Sequence, residues 1–231
     1  MDLKRINKVK EQLHNNNLVG MYVTNLTNVC YLTGFTGSAG SVLLLNDKNY
    51  FFTDGRYTEQ VKDQIKNCTI HIVGSSHIKA IQDQKLLSKT MNIGFESSHL
   101  SYANFQILKN NFPKINWKET ENIIEYIAAI KDVDEIESLK TAIEITDTVF
   151  DEIIPLIKEG VTELEIGEAI NKHFISEGAK PQFCIVGSGP NGAFPHHHTG
   201  DRKVEYGDAV LIDTGGRKGT FPSDMTRMSV L

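Results

Sequence analysis

The sequence predicts an α/β chain in two units: a mixed sheet with flanking helices, then a unit of α+β character. Three observations carry that reading. Up to about residue 112, β-branched and aromatic runs alternate with amphipathic stretches, the pattern of strands interleaved with helices. From Pro113 to Glu121 hydrophobicity falls, around the single Trp. After Asp132 a long helical period opens, and extended runs punctuated by glycine follow it. The boundary falls between about 115 and 131, giving units 1–125 and 126–231.

In the first unit, residues 2–16 have the spacing of a polar amphipathic helix. Val19–Val23 reads as a strand and Asn25–Tyr31 as a short helical turn, followed by a loop marked by Gly34, Gly37 and Gly40. Ser41–Leu45 and Asn49–Thr53 form two strands around the polar turn Asn46-Asp47-Lys48. Asp54 is placed to cap the next helix, which runs to about Lys66. A strand at Thr69–Val73, a helix at Ile78–Ser88, a strand at Asn92–Glu96 and a helix at Ser101–Asn111 complete the unit.

The second unit opens with a helix capped by Asp132, whose apolar face is Ile136, Leu139, Ile143, Val149, Phe150, Ile153 and Ile157. Pro155 should interrupt it and Gly160 end it. Thr162 and Glu165 form a capping box for a second helix reaching about Glu177. A strand, Gln182–Val186, leads into Gly187-Ser188-Gly189-Pro190-Asn191-Gly192. That loop has the glycine spacing of a dinucleotide site, but Pro190 and Asn191 favour a turn and no helical period follows, so nucleotide binding is set aside.

Composition narrows the classes. The net charge is −5, with no dense Lys/Arg run, which argues against a nucleic-acid binder. The start is too polar for a signal peptide, and no apolar run is long enough to span a membrane. The three cysteines, Cys30, Cys68 and Cys184, are odd in number and scattered, which suits a reduced cytoplasmic setting. Apolar residues at 40% suffice for packed cores.

Two features suggest chemistry. The strand Val210–Ile212 ends on Asp213, and a second extended run carries Asp224. A turn centred between Lys218 and Gly219 would set the two acids directly opposite each other, with Cβ atoms about 5 Å apart. Like charges so placed need compensation, and a divalent cation suits paired carboxylates. Two solvated acids flanking a turn remain the alternative. His196-His197-His198 follow Pro195. Alternate residues of an extended segment face opposite ways, so His196 and His198, or His197 alone, could address one site. A neutral imidazole could there serve as proton shuttle or hydrogen-bond partner. Surface loop histidines remain the alternative.

The order of these motifs resembles one family. Ile185–Asn191, Pro195-His196, Gly207-Asp208, Leu211–Gly215 and Ser223–Arg227 are similar to the pita-bread-fold metallopeptidases, in the Xaa-Pro branch of aminopeptidase P and prolidase. Tyr31–Ser38 and Thr53–Glu59 resemble the creatinase-type N-terminal domain of that branch. Ile130–Asp132 through Glu135-Ile136 resembles its lead into the catalytic domain. The resemblance covers nearly the whole chain.

The resemblance implies a cytoplasmic, proline-specific aminopeptidase or dipeptidase, a homodimer acting on peptides with proline in second position. Asp213 and Asp224 are implied as the first two ligands of a dinuclear site for manganese or cobalt, with zinc as an alternative. His196 is implied as the catalytic histidine that contacts substrate near the scissile bond. His197 and His198 have no counterpart carried over. The family also uses a further histidine and two glutamates downstream, which these residues do not supply. The expectation is therefore an incomplete pita-bread domain, from a truncated or split chain, with little or no activity alone. Two other readings compete: a non-catalytic fragment or pseudoenzyme serving dimerisation or peptide binding, and metal-free, creatinase-like hydrolysis of a guanidino compound. The paired acids weigh against the last.

Overall fold

Three neighbouring strands buried on both faces, β1 (Gly20–Val23), β2 (Gly40–Leu45) and β3 (Asn49–Asp54), organise the first half of the chain. Met21, Val23, Val42, Leu44 and Phe51 enter one core, and Tyr22, Leu43, Tyr50 and Phe52 enter another on the opposite face, as the two-residue period of a strand requires. Helices α1 (Leu3–Asn15) and α2 (Leu26–Thr33) supply the first core. After the short α3 (Gln60–Gln64), α4 (His77–Asp83) and α5 (Tyr102–Asn111) bring Ile81 and Leu108 to the second. Strands β4 (Thr69–Val73), β5 (Asn92–Glu96) and β6 (Asn116–Thr120) complete a mixed sheet of order β4-β3-β2-β1-β5-β6. The antiparallel pairs are β1–β2 and β2–β3, and the other neighbours are parallel. The structure, a computed structural model, describes residues 1–74, 76–87 and 90–231.

Several elements depart from the sequence reading. The polar stretch that reads as a junction is edge strand β6, parallel to β5, and helix α6 (Ile123–Ala129) follows it. Edge strands tolerate polar residues because one side faces solvent, so Asn116-Trp117-Lys118-Glu119 carries no alternating apolar signal. The compact units divide after Ile130, as Met1–Ile130 and Lys131–Leu231, because Ile123, Ile124 and Ile127 of α6 pack on the first core. The helix expected over Ile78–Ser88 ends at Asp83, where Lys85 turns to φ +51°; Ser88 lies outside the described residues. Asp54 caps a turn of 3-10 helix at Gly55–Tyr57 by accepting from the Arg56 N–H.

In the second unit, α7 (Val133–Ile153) and α8 (Glu163–Ser176) each begin with a complete capping box, Asp132 with Glu135 and Thr162 with Glu165. Pro155 sits in a 3-10 turn that ends α7. An antiparallel sheet follows: β7 (Lys180–Ser188), β8 (Ala209–Lys218), a short β9 (Phe221–Pro222) and β10 (Met225–Val230), in the order β10-β8-β7 with β9 on β8. Val186, Val210 and Ile212 pack against Val149, Phe150, Ile166, Ile170 and Phe174 of the two helices. A Cβ on Gly216 would stand 2.4 Å from the Phe174 ring, so glycine lets helix and strand approach this closely. Among the described residues, no helix is long and apolar enough to cross a membrane.

Candidate metal centre

Burial alternates along β8, and the alternation decides where Asp213 points. Val210, Ile212 and Thr214 are buried, while Ala209, Leu211 and Asp213 on the other face are half-buried. Asp213 therefore stands in mid-strand with its carboxylate turned from the apolar core. It accepts a hydrogen bond from the Thr226 hydroxyl at 2.7 Å.

Asp224 is placed by its neighbour. Ser223 is buried at 2% exposure, its hydroxyl 2.6 Å from that of Thr146 on α7 and in hydrogen-bond contact with Gly216 N–H and C=O, both at 3.0 Å. With Ser223 pegged inward, the next residue in an extended chain faces outward, and Asp224 is exposed.

The register differs from direct opposition. Arg217 pairs with Pro222, Lys218 with Phe221, and Asp213 with Thr226 rather than Asp224. The loop is Gly219-Thr220, with Gly219 at φ +75°, a two-residue turn that opens on glycine. Moving the turn centre by one residue moves every partner by two, which preserves faces. The two acids are thus diagonal neighbours on one face, a relation that sets side chains about 7–8 Å apart in a regular pair. A wider diagonal weakens their repulsion. Two carboxylates fit the oxygen preference of a hard divalent ion. They do not complete a centre: among the described residues, no three or more His, Cys, Asp or Glu side chains form a group able to hold a metal.

His196 lies on the exposed tip of a turn in which the His197 N–H donates to the Phe194 carbonyl at 3.1 Å. The preceding Gly189–Ala193 is a single 3-10 stretch, not the helix a dinucleotide loop needs. Gly192 lies over Leu211, two residues from Asp213 on the same face, so the loop folds over the face that carries the acid.

The residue with most partners here is one the sequence reading passes over as part of a capping segment. Glu163, the first residue of α8, has a fully buried side chain. Its Oε1 accepts from Ser188 N–H at 2.7 Å, Ser188 Oγ at 2.8 Å and Asn191 Nδ2 at 2.9 Å. Its Oε2 lies 2.7 Å from His197 Nε2 and accepts from Gly200 N–H at 3.4 Å. Burial pushes this carboxyl up, but the hydrogen bonds from Ser188, His197 and Asn191 outweigh it and hold the group below the usual range. Arg202 donates to Ser188 Oγ at 2.7 Å and to both oxygens of Asp208, at 2.6 and 3.2 Å, which keeps Asp208 ionised below its ordinary value. The partners of Glu163 lie 25 to 37 residues from it, and no local pattern signals them. Cys184, opposite Thr214 in mid-strand, has its thiol pushed up to about 11 by burial and is no nucleophile at neutral pH.

Residues 5–129 match the creatinase/prolidase N-terminal domain, and residues 137–231 match metallopeptidase family M24. An uncharacterized peptidase of Bacillus subtilis is 33% identical over 98% of the chain, which covers 64% of that protein. A Xaa-Pro dipeptidase of Pyrococcus furiosus is 27% identical over 99% of the chain, which covers 65% of it. Among solved structures, a Xaa-Pro dipeptidase from Bacillus anthracis superposes with a TM-score of 0.91 at 29% identity, covering 99% of this chain and 65% of that one. An X-Pro aminopeptidase from Thermotoga maritima gives 0.86 at 28% identity, over 97% and 65%. The chain spans 64–65% of the length of these curated relatives.

Proposed function

Because the chain belongs to the creatinase/prolidase N-terminal domain family and continues into an M24 metallopeptidase domain, we propose that its protein hydrolyses Xaa-Pro bonds at peptide N-termini. The observation that carries this is the pair Asp213 and Asp224 on one sheet face, beneath the loop that leads to His196. The pair would hold divalent metal, manganese or cobalt in this reading. Bound metal would supply a water acidic enough to attack as hydroxide near neutral pH. Ser223 aims Asp224 outward, and Thr226 orients one oxygen of Asp213. In this reading His196 donates a hydrogen bond to the substrate near the scissile bond, where charge develops. The substrate is a peptide with proline in second position, and the working form a cytoplasmic homodimer.

Residues 1–231 alone are a separate matter. Two carboxylates without a third ligand or a base should bind a divalent ion weakly and turn over little substrate. A peptide-binding or dimerisation role would then be what the isolated polypeptide retains. The test is proline release from Xaa-Pro dipeptides by the protein, with and without a chelator, and with Asp213→Asn and Asp224→Asn. Loss in all three supports the proposal; chelator-resistant turnover that survives both substitutions overturns it. Substantial metal-dependent hydrolysis by residues 1–231 alone overturns the second statement only.

A further inference from the structure

We propose that Glu163 is a positioning residue: its buried carboxylate clamps both flanks of the loop that carries His196 and so sets the pose of that imidazole. This rests on the reading of His196 as the substrate-contacting histidine.

The geometry is a division of labour between two oxygens. Oε1 takes the segment before the loop, through Ser188 and Asn191, and Oε2 takes the segment after it, through His197 and Gly200. Everything from Gly192 to His196 is strung between two anchors on one rigid group. His196 is bonded directly to the second anchor, so tilting the His197 backbone moves it. The carboxylate is itself fixed, since it opens helix α8, whose N-terminal end favours a negative charge. Arg202 occupies a lone pair of the Ser188 hydroxyl, which leaves that hydroxyl's one proton for Glu163. A buried carboxylate without donors would be costly; here five donors converge on it, and all five belong to the loop or its flanks.

The chemistry of the clamp makes a specific demand. A carboxylate offers only acceptors, so His197 must carry its proton on Nε2. In Glu163→Gln, the amide oxygen can keep Ser188 and Asn191, but the NH₂ then faces His197, which must present a lone pair and move its proton to Nδ1. Nitrogen-15 imidazole spectra of the protein should therefore show His197 as the Nε2–H tautomer, and as Nδ1–H in Glu163→Gln. Glu163→Ala should release the clamp, with faster amide exchange over residues 192–200 and a shifted His196 resonance.

In turnover, Glu163→Ala should lower kcat/KM by about 100-fold, the scale of an ångström-sized misplacement, and Glu163→Gln should recover part of that loss. Added to His196→Ala, neither substitution should cost anything further, because Glu163 acts through His196. Additive losses in the double variants, or a His197 tautomer unchanged in Glu163→Gln, would overturn the proposal. If Glu163→Ala does not fold, Glu163→Gln decides the question alone. If the protein turns over no Xaa-Pro peptide, the function reading fails, while the tautomer, exchange and His196 resonance still decide whether the clamp exists.

Discussion

Phe51 and Phe52 in the first unit point to opposite faces of their sheet, and both are fully buried. Ile212 and Asp213 in the second unit also point to opposite faces, and only Ile212 is buried. The difference lies in what covers each sheet. Helices pack on both faces of β1–β3, so the apolar side chains on both faces there are committed to cores. In the second unit α7 and α8 take one face, and a carboxylate can sit in mid-strand on the other without burying its charge. The central strands of the first sheet are scaffold because neither of their faces is spare, whereas β8 leaves one face outside the core.

This contrast can be broken experimentally. The largest effect should come from Phe52→Ala, which removes a ring at 0% exposure and should cost about 3–5 kcal/mol in urea denaturation. A loss under about 1 kcal/mol would mean the second face of that sheet is not a true core. Ser223→Ala comes next. It leaves the buried Gly216 N–H without its side-chain acceptor and removes the tie to Thr146, for about 1–3 kcal/mol; an unchanged midpoint would show that Ser223 does not peg Asp224 outward.

Acid should act on the second unit in a defined direction. Glu163 and Asp208 titrate below their ordinary values of 4.5 and 3.8 in the fold, so the stability they contribute is present above those values. It is lost as pH falls from them through the lower folded values. The urea midpoint should fall from about pH 4.5 downward, and Glu163→Gln should flatten that slope; an equally steep slope would place the acid sensitivity elsewhere. The smallest effect should be that of Asp213→Asn and Asp224→Asn on folding, within about 0.5 kcal/mol. A loss above 2 kcal/mol in either would make that acid part of the fold rather than a group held ready for a ligand.

Local rules made much of this chain legible. The capping boxes of Asp132 with Glu135 and Thr162 with Glu165 form as their spacing requires, since every atom involved lies within one helical turn. Tyr50-Phe51-Phe52 reads as strand because aromatic runs are stable where both faces are covered. The edge strand around Trp117 and helix α6 were not legible, because an edge strand needs no apolar alternation. Only the face shared by Asp213 and Asp224, not their pairing, followed from the sequence. An error of one residue in a turn centre keeps parity and changes partners, and the Gly219 conformation that fixes the centre emerges only when the strands meet.

The sequence by itself determined most of the helices and the apolar strands, where helices α7 and α8 start, and which of their faces seek a core. Those are decided by neighbours within a few positions. The tertiary structure alone decided that Glu163, one acid among several at a helix start, would be buried beneath Ser188, Asn191 and His197. Its burial and its hydrogen bonds depend on segments 25 to 37 residues away, and no local pattern of charge or polarity encodes a contact at that distance.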